Sequence, residues 1–287
     1  MADETTTLPS RGQMSHTDFR KFAELIHGST GIHLAPCKKF LLESRFRKRL
    51  KALGMQSFRE YSDYVFSTEG RMEELVHLID VVTTNKTDFF REPEHFRFLV
   101  NRILEPRYGR AESYERFHVW SAACSSGEEP YTLAMVLDGF ALQHAGFTYS
   151  LLATDVSTDM LDKARMAVYD HSRVEAIPPD FRQKYLMRSK NYRQRLYRIV
   201  PEIREKVRFQ HLNLTTPDPS FNEKADVIFC RNVLIYFDRP VQEKVLRFLC
   251  RRLKPGGYLF VGHSETLTGL DLPLVHVAPT TYRGIHP

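Results

Sequence analysis

From residue 117 onward the chain alternates short β-rich runs with helical runs, and this alternation constrains the fold more than any other feature. FHVWSAA (117–123) precedes a helix opening near Pro130, and YSLLATD (149–155) precedes STDMLDKARMAVYD (157–170). VRFQHLNL (207–214) and ADVIFCRN (225–232) read as strands. PVQEKVLRFLCRRL (240–253) is an amphipathic helix with Pro240 in its first turn, and YLFVGHS (258–264) is a strand after Gly256-Gly257. Such a β-α-β-α order gives an α/β fold, a mostly parallel sheet covered by helices on both faces. Residues 178–206 interrupt it. They are bounded by prolines, basic, and carry the short apolar run LYRIV, which predicts an inserted β-subdomain.

The first third has a different rhythm. Residues 1–14 are polar and read as a disordered tail. Residues 15–88 read as an all-α domain, leaving 89–287 to the α/β domain. Ser15 and Asp18 suit a capping box before FRKFAELI, whose Phe19, Phe22 and Ile26 share one face, with Gly28 and Gly31 as stops. A second helix is predicted from about Pro36 to Leu53 with Gly54 behind it, and Leu42, Phe46, Leu50 and Leu53 line its apolar side. Residues 57–66 and 71–82 suit two more helices.

At 287 residues the chain can bury a core without disulfides or metals. No apolar run approaches the ~20 residues of a membrane span, and the N-terminus lacks an apolar signal core. Four scattered cysteines (Cys37, Cys124, Cys230, Cys250) without a CxxC pair read as free thiols, so a cytoplasmic protein is expected. The net charge of +6 is uneven: residues 38–51 carry +6 and residues 182–208 carry +8, leaving the remainder at −8. Two basic surfaces on an acidic body suit an anionic partner, although a solvated face explains a single charged helix equally well.

In an open α/β sheet, ligands bind at the carboxyl ends of the strands. The first strand ends in AACSSGEEP (122–130), where Gly127 lets a ligand approach the backbone. Glu128 and Glu129 crowd the next helix N-terminus. They would repel a phosphate and accept a cationic cofactor such as S-adenosylmethionine, with its ammonium and sulfonium. The helix dipole alone explains one such acid better than two. Asp155 ends the second strand, where an acid commonly accepts both ribose hydroxyls. Its alternative role, capping the next helix, is open to Ser157. Asn213-Leu214 ends the third strand and suits the edge and face of adenine. Arg231-Asn232 tips the fourth, with Tyr236 shortly after.

In order, these features resemble the class I S-adenosylmethionine-dependent methyltransferases. More closely, the chain resembles the chemotaxis-receptor methyltransferases, the CheR family, through VTTNKTDFFREPEHF (82–96), VWSAACSSGEEPYTLAM (119–135), ATDVS (153–157), IFCRNVLIYF (228–237) and GHSE (262–265). The resemblance spans nearly the whole chain. It implies a Rossmann-like methyltransferase domain with the small inserted β-subdomain, preceded by the helical domain. It also implies methyl transfer from S-adenosylmethionine to glutamates of methyl-accepting chemotaxis receptors, leaving S-adenosylhomocysteine. Residue by residue, Asn85, Thr87 and Arg91 match the motif over the cofactor. Glu129 matches the acid near the methionine ammonium and Asp155 the ribose acid. Asn213, Leu214, Arg231 and Asn232 match the adenosine and methyl-site lining, and Arg91 and Tyr236 the pair beside the transferred methyl. Relatives that dock on a receptor's C-terminal peptide carry a glycine-bearing loop where this chain has RSKNYRQR, so no such tether is expected.

This constellation suits a carboxylate nucleophile. A glutamate with a pKa near ~4.3 is ionised at neutral pH and needs no general base, and a guanidinium holds it by two parallel hydrogen bonds. His263, Ser264 and Glu265 are adjacent in sequence and so do not form a hydrolase triad. The histidines lack metal-ligand spacing with the cysteines, and no metal is expected. In the basic second helix, Arg45 and Arg49 are expected to face the receptor's acidic helical bundle. Two competing readings are a nucleic-acid methyltransferase, against which RNVLIY stands in place of an Asn/Asp-Pro-Pro-aromatic motif, and a non-catalytic cofactor sensor. Alkali-labile label on protein, stable label on RNA, or no label separates the three.

Overall fold

The computed structural model describes residues 12–109 and 115–285. The chain divides into two compact units between Thr83 and Thr84, five residues before the boundary read from the sequence.

The first unit is built from α1 (His16–Thr30), α2 (Lys39–Leu53), α3 (Phe58–Val65) and α4 (Thr68–Val82). Ser15 caps α1, its Oγ accepting the Asp18 N–H at 2.9 Å. The helix runs through Gly28 and ends at Gly31, whose φ of 74° is left-handed. A single helical glycine costs only about 1 kcal/mol, and Phe19, Phe22, Leu25 and Ile26 are buried along the same helix. Phe22, Phe46 and Tyr61 form the aromatic centre, with Phe22 and Phe46 centroids 4.8 Å apart. Of the expected tail, residues 1–11 lie outside the described residues. Met14 is already buried and its N–H donates to Glu43 Oε1 at 3.0 Å, so this end of the stretch belongs to the fold.

The structure corrects the reading of Arg45 and Arg49. Arg49 donates to the buried Glu74 carboxylate through Nε and Nη2, and Tyr61 donates to the same carboxylate. Arg45 donates to the carbonyls of Val82 and Thr83 at the end of α4. Both arginines therefore hold α2 against α4. The helical wheel explains the error: at ~100° per residue Arg49 lies only ~60° from the centre of the apolar stripe, flanking it rather than opposing it. The exposed basic residues of this region are Lys38, Arg47, Lys48 and Lys51, with Phe40 and Leu41 exposed beside them in the sequence.

The second unit opens with α5 (Glu94–Phe98), a π-helical stretch over Leu99–Leu104, and α6 (Glu105–Tyr108). Then come β1 (Phe117–Ala122), α7 (Glu128–Gln143), β2 (Tyr149–Asp155), α8 (Thr158–Met166), β3 (Val168–Asp170), α9 (His171–Val174), α10 (Pro179–Tyr185), β4 (Leu186–Arg188), β5 (Leu196–Ile199), α11 (Pro201–Arg204) and β6 (Val207–His211). The unit closes with β7 (Ala225–Cys230), α12 (Arg239–Arg252), β8 (Leu253–Val261), β9 (Leu274–Ala278) and β10 (Thr281–Gly284). The main sheet has the order β6-β2-β1-β7-β8-β10-β9. Its first five strands are mutually parallel, and β10 and β9 close it as an antiparallel hairpin. Trp120, Phe229 and Phe260 are buried along β1, β7 and β8, with the Phe229 and Phe260 rings stacked at 4.5 Å. The helical unit followed by a mostly parallel sheet agrees with the fold expected.

A separate three-stranded sheet, β3-β5-β4, is the inserted subdomain. It starts earlier than residue 178, because Val168–Asp170, read as the end of a helix, pairs with β5 instead. Ala167, in the left-handed region at φ 53°, ends α8 there. None of the described helices is long and apolar enough to cross a membrane.

Candidate functional site

Strand order reverses at β1 and β7, whose last residues, Ala122 and Cys230, are paired in register. A crevice outside the carboxyl ends of such strands is where an α/β sheet takes a ligand. Backbone strain concentrates here. Ala123 (φ 64°), Ser125 (φ 49°), Phe90 (φ 51°), Glu92 (φ 57°) and Asn232 (φ 59°) all hold the left-handed conformation. Non-glycine residues there cost of order 1–3 kcal/mol each, and such strain gathers at functional sites.

The loop after β1 is tied to β2 by Asp155. Its Oδ2 accepts the Ser125 N–H at 2.7 Å and its Oδ1 the Ser157 N–H at 2.9 Å. Ser157 caps α8 with its own Oγ, so Asp155 is not spent on that role. Burial pushes the Asp155 carboxyl up, and the backbone donors only partly offset this. Gly127 is also required by the fold: at φ 97°, a Cβ there would lie 2.9 Å from Ala164 Cβ and from the Tyr169 hydroxyl.

The two glutamates at the start of α7 separate. Glu128 is buried and pairs with Arg173, while Ser126 Oγ also donates to it. Its charge is therefore balanced within the protein by Arg173, whereas Glu129 shares the single cation Arg231 with Glu92. Glu129 accepts from Ser121 Oγ at 2.7 Å and lies 3.5 Å from Arg231. Burial raises its pKa, with Arg231 acting in the opposite direction.

Residues 84–91 form a strap whose backbone is fixed to the unit at four points. Ser125 Oγ donates to the Asn85 carbonyl at 3.1 Å and Arg173 to the Thr87 carbonyl at 2.7 Å. The Phe90 N–H donates to Thr132 Oγ1 at 3.1 Å, and Arg231 donates to the Arg91 carbonyl. The Arg91 side chain is 36% exposed, donates to the Lys86 carbonyl at 3.2 Å, and has its Nε 4.0 Å from Glu92 Oε1. Most of its five N–H donors make no bond to the described residues.

Arg231 is not an exposed tip. Its side chain is 2% exposed, lies 3.2 Å from Glu92 Oε2, and sits over Phe96 and Phe229. It joins the strap, α7 and β7 as a buried cation between two carboxylates. Asn232 donates through Nδ2 to Glu92 at 3.3 Å. Glu265 holds the same turn: its Oε1 accepts the Leu234 N–H at 2.7 Å, and its Oε2 accepts the N–H groups of Asn232 at 2.9 Å and Gly262 at 2.5 Å. Gly262 permits this approach, since a Cβ there would meet Asn232 backbone at 2.8 Å. Tyr236, half-buried, ends the 3-10 turn Leu234–Tyr236 carried by this cradle. Asn213 and Leu214 lie beyond the end of β6 rather than in it. Asn213 Oδ1 accepts from the Thr215 N–H and hydroxyl, shaping a turn, and Leu214 is buried.

Sequence reasoning missed Glu92, Ser125, Thr132 and Arg173, whose roles arise from partners distant in sequence. It also missed that Glu92, His95 and His263 bring ligand atoms within 4.8 Å of one another. Arg231 already lies against Glu92 there, so a metal ion would meet like charge. Burial favours a high Glu92 pKa, but Arg231, with donors from His263 and Asn232, holds it below the usual range. Burial, then Arg231, lowers the His95 pKa to about 4.

Two family models match the two units: the all-alpha domain of CheR methyltransferases over residues 17–83 and their SAM-binding domain over 85–282. The chain is 37% identical over 270 residues to a chemotaxis protein methyltransferase of Borreliella burgdorferi, covering 93% of each chain. It is 36% identical over 275 residues to the chemotaxis protein methyltransferase of Escherichia coli, covering 96% of this chain and 93% of that one. Chemotaxis protein methyltransferase 2 of Pseudomonas aeruginosa is 36% identical over 265 residues, with 92% of each covered. Matched in both units and along nearly its whole length, the chain belongs to the CheR methyltransferase family and is an S-adenosylmethionine-dependent methyltransferase.

Proposed function

We propose that the chain methylates glutamate side chains of methyl-accepting chemotaxis receptors, and that Arg91 orients the accepting carboxylate. The observation that carries this is the contrast within the strap. The Arg91 carbonyl is fixed by a buried cation, while the guanidinium is partly exposed and makes one hydrogen bond, to the Lys86 carbonyl, with Glu92 4.0 Å away. S-adenosylmethionine, when bound, supplies an electrophilic methyl on a sulfonium. The donor set suits it: in this reading Glu129 takes the ammonium and Asp155 the ribose diol, and Asn213 and Leu214, after β6, line the adenine. Asn85 and Thr87 belong to the strap over this edge. A glutamate is ionised at neutral pH, so no residue needs to remove a proton. The protein's task is alignment, bringing the carboxylate oxygen to roughly 3–3.5 Å from the methyl. Arg91 must grip loosely, because charge on the carboxylate disappears as the ester forms. Tyr236, on the turn fixed by Glu265, walls the methyl or donates to the non-attacking oxygen.

The receptor surface is acidic and helical in this reading. Because Arg45 and Arg49 are engaged within the fold, the contact passes to Lys48 and Lys51, which point away from the apolar stripe of α2. The exposed basic residues of the inserted subdomain, among them Lys190, Arg193 and Arg195, form a second contact that needs no receptor C-terminal peptide. Cytoplasmic work on a receptor's signalling region follows from the same reading. The test is transfer from methyl-labelled S-adenosylmethionine to a receptor signalling fragment. Alkali-labile label is expected, lost when the accepting glutamates are changed to alanine. Arg91→Ala should lower turnover at least about thirtyfold with S-adenosylhomocysteine affinity nearly unchanged. Alkali-stable label overturns the glutamate ester. Loss of cofactor affinity with turnover preserved overturns the role of Arg91.

A further inference from the structure

Three of the four anchors of the strap come from the body of the methyltransferase unit: Ser125 after β1, Thr132 on α7 and Arg231 after β7. The fourth, Arg173, comes from α9 of the inserted subdomain. Its Nη2 donates to the Thr87 carbonyl at 2.7 Å and pairs with the buried Glu128, while Nη1 lies 3.8 Å from Asp88. One guanidinium thus spans the strap and the loop–helix junction that follows β1. The fork geometry permits this, because a guanidinium presents five N–H donors in a fixed plane. The subdomain is held at the same place a second time. Tyr169 on β3 donates its hydroxyl to the Ser126 carbonyl at 2.7 Å. Ser126 and Glu128 flank Gly127, which packs against Tyr169.

We infer that Arg173 is a positioning residue for the cofactor: it fixes the strap over the loop after β1 and ties that geometry to the inserted sheet. The inference rests on the cofactor lying at this edge. A purely structural alternative exists, in which Arg173 only balances the buried charge of Glu128. The two differ in what happens once that charge is removed.

The test uses the full chain and S-adenosylhomocysteine calorimetry, with melting temperature measured alongside. Wild-type binding comes first, since failure of the wild type to bind would overturn the cofactor site itself. Arg173→Gln should lower affinity about tenfold to a hundredfold, as loss of one charge-assisted hydrogen bond implies, and should also lower the melting temperature. Glu128→Gln combined with Arg173→Gln removes the unpaired charge. It should recover most of the melting temperature while affinity stays reduced. Arg173→Lys keeps a charge for Glu128 but cannot span to Thr87, so it should melt close to wild type yet bind at least about fivefold more weakly. The lysine and double variants decide the matter even where Arg173→Gln does not fold. Wild-type affinity in either would overturn the inference and leave Arg173 a charge-balancing residue.

Discussion

Replacing Glu265 by glutamine should slow methyl transfer well beyond its effect on cofactor binding. The carboxylate is 6% exposed and accepts backbone N–H groups on both oxygens, those of Asn232 and Gly262 on Oε2 and that of Leu234 on Oε1. A glutamine oxygen can keep the pair from Asn232 and Gly262, but its amide nitrogen then faces the Leu234 N–H. One bond to a charged acceptor is lost and two are weakened to neutral strength. At about 1.5–3 kcal/mol for a bond to a charged group, against about 0.5–1.5 for a neutral one, the gross loss is about 4 kcal/mol. Part returns, because burial already pushes the Glu265 carboxyl pKa up and the amide carries no charge to bury. A net loss of about 2–3 kcal/mol remains, enough to lower the melting temperature by several degrees. The turn so loosened carries Asn232, in a strained left-handed conformation, and Tyr236. Misplacement of a positioning group by about 1 Å can cost about a hundredfold in rate. The expected result is kcat reduced about tenfold to a hundredfold, with S-adenosylhomocysteine affinity within about threefold of wild type. A variant that melts several degrees lower yet turns over at the wild-type rate would refute the claim that this cradle positions the reaction.

Asp155→Asn should weaken S-adenosylhomocysteine binding at least about tenfold by calorimetry, since an amide both loses the charge and turns a donor toward Ser125 or Ser157; unchanged affinity removes Asp155 from the site. His95→Gln should flatten the pH dependence of stability. The buried imidazole titrates at about 4 when folded and near 6.5 when unfolded, so the unfolded chain binds more protons between these values. Wild-type stability should therefore fall by up to roughly 3 kcal/mol as pH drops through this window, and an equal fall in the variant, followed by denaturant unfolding, would show another group responsible. Lys48→Glu with Lys51→Glu should raise the apparent KM for receptor at low salt, converge on wild type at high salt, and leave cofactor affinity alone. Identical receptor kinetics at low salt would reduce these lysines to a solvated face.

The sequence was most legible where local pattern and burial coincide. The strands ending at Ala122, Asp155 and Cys230 are short runs buried almost throughout, the helix over Arg239–Arg252 carries its own periodicity, and the Ser15 cap needs only its neighbour Asp18. Val168–Asp170 was hidden because three residues cannot show a period of two, and the preceding helical pattern ran straight into them. The hairpin Leu274–Ala278 with Thr281–Gly284 was hidden for a related reason: β9 is exposed or half-exposed along its whole length, so no alternation of apolar and polar residues marks it.

Charge was the least legible property, and for one physical reason. A sequence displays where ionisable groups are, but not which of them the fold has already paired. Glu128 and Glu129 are neighbours of the same type, yet Arg173, 45 residues downstream, takes the first, while the second shares Arg231 with Glu92. Arg45 and Arg49 look like surface cations by composition, yet Glu74 and the carbonyl end of α4 take them. Arg231 reads as a strand tip and is a buried hub between Glu92 and Glu129. In each case the pairing partner comes from another element, brought near only by packing. A buried ion left without that partner would be strongly destabilising, so such pairs are committed to the fold before any ligand arrives. The charges available for chemistry are those the packing leaves over. Arg91 is held more loosely than these pairs: its guanidinium is 36% exposed, with one bond to the Lys86 carbonyl and Glu92 4.0 Å away.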